Sequence, residues 1–227
     1  MPLYQLKFTK NSLVMNSIAK SNFIGLGVLL ALSFALISVT NHYILTINFF
    51  DNSDEYLSGI PGREIEVYNS IQKYIYFSAA IYSLFKICLT ALIIYIGLFL
   101  SDHEVTYGRA LHVAIFSEFI FLIPAIIKIV WFKCEYPHGT LSDWHKVYVM
   151  SALSLFGGVS ADWYYPLQTL NVFEVGYWFI LALGICRVTK LNFDQSLKVV
   201  VLSYLPALFI WVASVVFLTV MTFPGNA

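Results

Sequence analysis

Residues 23–50 read FIGLGVLLALSFALISVTNHYILTINFF and contain no Asp, Glu, Lys or Arg. A helix needs about 20 apolar residues to cross the hydrocarbon core of a bilayer, so this stretch predicts a first transmembrane helix. A secretory signal peptide has an apolar segment of only about 7–15 residues and ends in a small-residue cleavage site. The stretch here is longer and ends in the bulky INFF of residues 47–50. We therefore interpret it as a span that is retained.

The composition of the whole chain agrees with this interpretation. Of its 227 residues, 59% are hydrophobic and 11% are charged, whereas soluble domains carry about 25% charged residues. So few charges cannot cover a water-facing surface, and we expect the exterior to contact the lipid bilayer. The 13 basic and 13 acidic residues cancel, so no basic surface indicates a nucleic-acid partner.

Four further apolar stretches follow the first. They lie at about 74–100, 109–132, 169–186 and 192–221. A fifteen-residue uncharged segment, 147–161, contains Gly157 and Gly158 and is too short to cross comfortably. The predicted fold is therefore an all-α integral membrane protein, a bundle of five transmembrane helices plus one interfacial or re-entrant helix.

The domain organisation predicted from these spans is simple. A short cytoplasmic leader, 1–22, precedes a single transmembrane helical domain, 23–222. This domain carries an acidic outer loop, 51–72, and a mixed outer loop, 133–168. The amphipathic stretch that follows Pro61 is expected to lead straight into the second span.

Two polar pairs have the spacing of helix caps. Ser101 and Glu104 form an S-x-x-E capping box, which predicts the start of the third span. Asn192 and Gln195 are predicted to cap the fifth.

The distribution of Lys and Arg predicts the orientation. With five spans and a cytoplasmic N-terminus, the inner segments hold seven basic residues and the outer segments four. Cytoplasmic loops carry the excess of Lys and Arg in membrane proteins. We expect a bacterial inner membrane location with the basic 187–198 turn in the cytoplasm.

Two ionisable residues lie deep within predicted spans, where a charge costs at least ~2.5–3.5 kcal/mol. Lys86 belongs to the second span and Glu118 to the third. Counted from the turn that joins these antiparallel spans, their depths differ by about four residues, or ~6 Å. A lysine stem bridges that distance. The two interpretations are an interhelical ion pair that fixes helix register, and a proton or ion path.

Four other residues are predicted to lie at the membrane interface. Lys128 is close enough to the end of its span to extend its ammonium group to the headgroups. Glu174, at the outer end of the fourth span, is predicted to be an interfacial carboxylate. Trp144 and Trp163 flank the uncharged 147–161 segment, and tryptophan prefers the headgroup level.

No pattern in the sequence predicts catalysis, a metal or a cofactor. The cysteines, Cys88, Cys134 and Cys186, match neither a disulfide framework nor a metal-binding spacing. His103-Glu104 lacks the second histidine of a zinc-binding H-E-x-x-H, and neither G-x-S-x-G nor a P-loop occurs. We therefore expect a protein that is not an enzyme.

The second half of the chain carries a recognisable pattern. Residues 106–118 read TYGRALHVAIFSE and precede Ile123-Pro124; residues 166–174 read PLQTLNVFE; residues 177–200 read YWFILALGICRVTKLNFDQSLKVV. Over about 75–222 the chain resembles bacterial members of the Yip1 domain family. The resemblance implies a five-helix membrane domain with a cytoplasmic N-terminus. Eukaryotic members of that family bind small GTPases and each other in vesicle trafficking, and most bacterial members have no assigned activity. The short leader here lacks the long cytosolic arm of the trafficking proteins, so a trafficking role is not expected.

Three functional hypotheses follow. The first is a non-catalytic scaffold or accessory subunit that contacts other membrane proteins, with self-association left open. The alternative is a small transporter or channel subunit in which Lys86 and Glu118 line a path. A third, weaker hypothesis is a lipid-directed enzyme with His138, Asp143, His145 and Asp162 in an outer cleft.

Overall fold

The computed structural model describes residues 2–46, 64–137, 139–156 and 159–222. Within these ranges every regular element is helical. The helices are α1 (Pro2–Tyr43), α2 (Glu64–Leu100), α3 (Tyr107–Glu118), α4 (Leu122–Glu135), α5 (Leu141–Lys146), α6 (Ala161–Thr169), α7 (Val172–Val188) and α8 (Phe193–Thr222), with 3-10 turns at Phe119–Phe121 and Ala152–Leu155.

Four helical stretches of the described chain are long and apolar enough to cross a membrane. They are Ser17–Tyr43, Glu66–Leu100, Tyr107–Glu135 and Phe193–Thr222. These stretches confirm an all-α protein with the character of an integral membrane protein. The predicted fourth span corresponds to α7, which has 17 residues and a length of ~26 Å, a little less than the ~30 Å hydrocarbon core. The count of five spans is therefore not confirmed.

The N-terminal region is more helical than the sequence indicates. Helix α1 begins at Pro2, so it runs through the predicted leader 1–22, and its apolar span begins at Ser17. Residues 47–63, with most of the predicted acidic loop, lie outside the described residues. Helix α2 runs unbroken from Glu64 to Leu100, which confirms that the amphipathic stretch continues into the second span.

The capping box predicted at Ser101 and Glu104 is wrong. The Ser101 hydroxyl donates back to the Gly97 carbonyl of α2 at 2.8 Å instead of capping α3. Asp102 has a left-handed φ of 58°, and the following N–H returns to a carbonyl of the last turn of α2 at 3.0 Å. This is a Schellman-type C-terminus. Helix α3 begins later, after Thr106.

A 3-10 turn separates α3 from α4 because of Pro124. Proline lacks an N–H and its ring clashes with the carbonyl four residues earlier, here that of Ile120. The chain adopts the tighter helix over Phe119–Phe121 at that point.

The interfacial or re-entrant helix predicted at 147–161 is not confirmed. Met150 has a left-handed φ of 49°, and Ser151 forms an isolated antiparallel bridge with Asn171. Among the described residues of 147–160, the short 3-10 turn Ala152–Leu155 is the helical part, and α6 begins at Ala161. A left-handed residue and a β-bridge both interrupt the hydrogen-bond pattern of a continuous helix.

The described chain packs as two units. The first comprises 2–30, 85–119 and 176–211. Its core is built from inward stripes of α2, α3 and α7, whose members recur every three or four residues as an amphipathic helix requires. The most completely buried of them are Ile87, Ala91, Ile94, Leu98, Ala110, Ala114, Ile115, Tyr177, Leu181, Ala182 and Ile185. Gly97 lies directly against Ser203, and Gly184 against Val113, so that a Cβ at either glycine would be within 2.7 Å of a side-chain carbon.

The second unit comprises 31–46, 64–84, 120–137, 139–156, 159–175 and 212–222. The end of α1 and the start of α2 are joined by polar contacts. The Asn41 amide donates to the Gln72 side chain, and the Tyr68 hydroxyl donates to the Leu45 carbonyl at 3.0 Å. Among the described residues, the buried apolar side chains of its C-terminal half are those of Phe132, Leu153 and Phe173.

Candidate functional site

Lys86 and Glu118 form a direct ion pair in the first unit. The Lys86 Nζ lies 2.6 Å from the Glu118 Oε1, so no water separates these two atoms. The side chain of Lys86 is 24% exposed and that of Glu118 is 11% exposed. The structure therefore places the two charges in contact, with the Glu118 side chain more buried than that of Lys86.

The helix faces explain why the two side chains meet. Glu118 follows Ala110 and Ala114 at intervals of four residues on α3, and all three are buried. Lys86 immediately precedes Ile87, which opens the buried stripe of α2. Lys86 thus lies at the edge of one stripe, where a long side chain reaches the partner helix.

An aromatic pair lies beside the ammonium group. The Lys86 Nζ is 5.5 Å from the ring centroid of Tyr177 on α7, within the range of a cation–π interaction. Tyr177 is fully buried, and its ring packs edge-on against Tyr204 of α8 at 5.5 Å. A desolvated cation gains more from such a ring than an exposed one does.

The second carboxylate oxygen of Glu118 has a different environment. Among the residues that the structure describes, its Oε2 is buried without a hydrogen-bond partner. An ionised carboxylate has two oxygens that can each accept hydrogen bonds, and here the ammonium of Lys86 contacts only the first of them. Chemically, the arrangement neutralises one charge with another.

A second polar contact in the first unit was not predicted from the sequence. The Asn22 side-chain amide donates to the Gly108 carbonyl at 2.9 Å, and its oxygen lies 2.8 Å from the His112 Nδ1. Because the amide oxygen only accepts, the hydrogen-bond pattern assigns the proton to His112 Nδ1. This contact joins α1 to α3. The sequence signal was weak, since the two residues are 90 positions apart.

Two of the predicted interfacial residues contact each other in the second unit. The Lys128 Nζ is 4.4 Å from the ring centroid of Trp144, and Trp144 packs edge-on against Phe132 at 5.1 Å. Trp163 is 59% exposed and lies on α6. Their placement at the membrane interface stays a prediction.

Glu174 is buried, with 5% of the residue exposed. It lies in the first turn of α7, and its N–H donates to the Asn171 side-chain oxygen at 2.8 Å. A carboxylate there is favoured by the positive N-terminal end of the helix dipole. Its predicted position at the interface also stays a prediction.

Of the residues of the enzyme hypothesis, Asp143 has a structural role and Asp162 lies in the first turn of α6. The Thr140 N–H and hydroxyl donate to the Asp143 carboxylate at 2.9 and 2.8 Å, which lowers the pKa of Asp143 below its usual range. His145 is exposed, and His138 lies outside the described residues. Within the described ranges no group of three or more His, Cys, Asp or Glu is placed to hold a metal ion.

No protein-family model, curated protein or solved structure matches the chain. The resemblance to the Yip1 domain family therefore stays a prediction that rests on the residues quoted above.

Proposed function

We propose that the protein is a non-catalytic, multi-pass membrane scaffold or accessory subunit that works through contacts with other membrane proteins. The observation that carries the proposal is the closed Lys86–Glu118 pair, in direct contact at 2.6 Å. Its neighbours along the same helices, Ile87 and Ile115, are 1% exposed. A direct ion pair next to buried apolar positions of both helices favours a fixed helix register over a hydrated path.

The proposal includes five spans and a bacterial inner membrane, with the N-terminus in the cytoplasm. Helix α7 has 17 residues, which is the lower end of the range for a transmembrane helix. Its last turn holds Arg187, and Lys190 follows it. Basic residues at this position favour a cytoplasmic end.

Photo-crosslinking in native membranes tests the scaffold proposal. A benzophenone amino acid replaces Phe77, which is 67% exposed, or, in another variant, Phe217, which is 61% exposed. The matched control replaces Phe132, which is buried. We expect a discrete adduct with one membrane protein, or with a second copy, from an exposed position and none from the control. Lipid adducts alone at every exposed position tested along the spans would contradict the proposal.

The buried Glu118 Oε2 specifically favours a second candidate, a proton-transfer or transport role. A proton added to this oxygen would neutralise Glu118 and weaken its attraction for Lys86. The test is proton flux into vesicles that contain the purified protein, measured with a pH-sensitive dye inside. Proton flux that Glu118→Gln abolishes would support transport. If vesicles with the protein leak protons no faster than protein-free vesicles, the transport role is ruled out.

A further inference from the structure

The described residues from Ser151 to Asn171, 151–156 and 159–171, have their two ends joined, and we call them the bridged loop. The antiparallel bridge between these two residues joins its ends, and backbone hydrogen bonds of 2.8 and 3.1 Å flank the bridge. The loop contains the 3-10 turn Ala152–Leu155 and helix α6. Because α7 begins at Val172, the bridge fastens the loop to the start of that helix.

Large apolar side chains of the bridged loop are exposed. Leu155 is 81% exposed and Phe156 is 58% exposed, whereas Leu153 in the same turn is 6% exposed. On α6, Trp163 is 59% exposed. The side chain of Leu153 is thus buried within the second unit, whereas those of Leu155 and Phe156 are exposed. The 3-10 turn and α6 pack against each other, and exposed apolar residues on adjacent elements indicate an interaction surface.

The near absence of charge in the bridged loop indicates which kind of partner it can bind. From Val147 to Asn171 the sequence has one charged side chain, Asp162, and no Lys or Arg. A surface that attracts anionic headgroups or an acidic protein requires basic residues. An uncharged surface of Leu, Phe and Trp instead matches lipid acyl chains, with the Trp N–H left for the headgroups.

The backbone of the loop fixes the depth at which lipid contact is allowed. Helix α6 has nine residues, a length of ~13 Å, and cannot cross the hydrocarbon. Irregular backbone is not tolerated where it faces the hydrocarbon core, because its N–H and C=O groups need partners. The boundary between headgroups and acyl chains satisfies both demands.

We propose that the bridged loop is a membrane-insertion element that places Leu155, Phe156 and Trp163 in the acyl-chain boundary of one leaflet. Its partner is the lipid bilayer itself, in addition to any protein bound by the spans. Attachment to the first turn of α7 makes the loop continuous with that helix, so that the inserted side chains fix the level at which α7 begins.

Spin labelling in phosphatidylcholine vesicles tests the insertion. Single cysteines replace Leu155, Phe156 or, as the matched control, the exposed polar Gln168 of α6. The background protein has its native cysteines replaced by serine; these are Cys88, Cys134 and Cys186. Labels at Leu155 and Phe156 should collide more often with oxygen, which concentrates in lipid, than with a water-soluble nickel complex. The label at Gln168 should show the reverse.

Three outcomes would overturn the proposal. Labels at Leu155 and Phe156 reached by the nickel complex as readily as the Gln168 label would place the loop in water. Labels shielded from both reagents would show a protein partner covering the loop. Insertion seen only when phosphatidylglycerol is added would show attachment by charge.

A fluorescence measurement supports the test if a cysteine variant fails to fold. The chain has five tryptophans, and a variant that retains only Trp163 reports on depth directly. We expect stronger quenching by lipids that carry a nitroxide near the headgroup than by lipids that carry it near the chain end. Quenching by neither lipid, with quenching by aqueous iodide, would contradict insertion.

Discussion

At the scale of single residues, two glycines set how closely the helices of the first unit approach. A Cβ at position 97 would lie 2.6 Å from the Cβ and Oγ of Ser203, and one at position 184 would lie 2.7 Å from a Val113 methyl. Such distances are far below van der Waals contact, so the helices would have to separate. Small residues at helix contacts are common in membrane proteins, because close packing replaces the hydrophobic effect there.

Gly97→Ala should therefore lower the free energy of unfolding by about 1–3 kcal/mol, which is the usual cost of overpacking. Reversible unfolding by denaturing detergent measures this change. The matched control is Gly27→Ala on α1, where a Cβ would meet nothing within 4 Å. Removing the opposing side chain in Gly97→Ala/Ser203→Gly should recover part of the loss. Equal stability of the Gly97 and Gly27 variants would contradict the close approach.

The contact between Asn22 and His112 gives a second prediction at this scale. Asn22→Leu leaves the Gly108 carbonyl and the His112 N–H without their observed partner. Gly108 and His112 are only partly buried, so we expect a loss of about 0.5–1.5 kcal/mol, the usual net contribution of a hydrogen bond. His112→Leu in the same chain should add less than its separate cost. Fully additive losses in a double-mutant cycle would show that the two side chains do not interact.

The Lys86–Glu118 pair and the Asn22–His112 contact differ in how far the sequence predicts them. Lys86 and Glu118 were candidates because charges are rare in apolar spans and because a short turn joins their helices. Asn22 and His112 lie near the ends of spans, where polar residues are ordinary. Nothing in their spacing indicates that α1 passes next to α3, since that contact depends on tertiary packing alone.

At the scale of the elements, similar cap motifs gave opposite results. At the start of α8, the Asn192 side chain accepts from the Gln195 N–H at 2.9 Å, and the Gln195 side chain accepts from the Asn192 N–H at 3.2 Å. This reciprocal cap was predicted and is confirmed. At Ser101 and Glu104 the same spacing does not form a cap, because the end of α2 engages Ser101. A motif of four residues cannot show which of two adjacent helices will bind its first side chain.

This difference predicts the effects of two substitutions. Asn192→Ala should destabilise the protein by about 0.5–2 kcal/mol, the usual cost of losing an N-cap. Glu104→Ala should change the stability by no more than about 0.5 kcal/mol, as expected of a surface substitution. Unfolding midpoints in detergent compare them directly. A larger loss of stability from Glu104→Ala would indicate that the capping box forms, contrary to the structure.

The 147–161 segment illustrates a second limit at this scale. Its lack of charge indicated a single helix that does not cross the membrane. The bridge between Ser151 and Asn171 pairs residues 20 positions apart, and hydrophobic periodicity contains no signal for such a pairing. The class of the fold follows from apolar length, whereas irregular segments depend on contacts that only the folded chain provides.

At the scale of the whole molecule, the number of spans decides which segments share a side of the membrane. With five spans, α7 crosses, and His145 and Asn192 face opposite sides. With the four spans that length and composition support, α7 does not cross and the two residues face the same side. The difference rests on a single 17-residue helix.

Labelling with an impermeant thiol reagent distinguishes these topologies. In a chain without native cysteines, His145→Cys should react in intact cells, whereas Asn192→Cys should react only after the membrane is opened. The basic 187–198 turn gives the direction, because Lys and Arg are retained in the cytoplasm. Reaction at both positions in intact cells would contradict five spans, and reaction at Asn192 alone would reverse the orientation.

The central claim is that the Lys86–Glu118 pair is structural, and a double-mutant cycle in detergent tests it most directly. Removing one partner of a buried pair costs about 3–5 kcal/mol, whereas replacing both with apolar residues is often nearly neutral. We predict that Lys86→Met and Glu118→Leu each lower the free energy of unfolding. The loss should be smaller for Lys86→Met, because the Lys86 side chain is 24% exposed. The double variant should recover most of the stability. Single variants as stable as the parent would contradict the structural role of the pair.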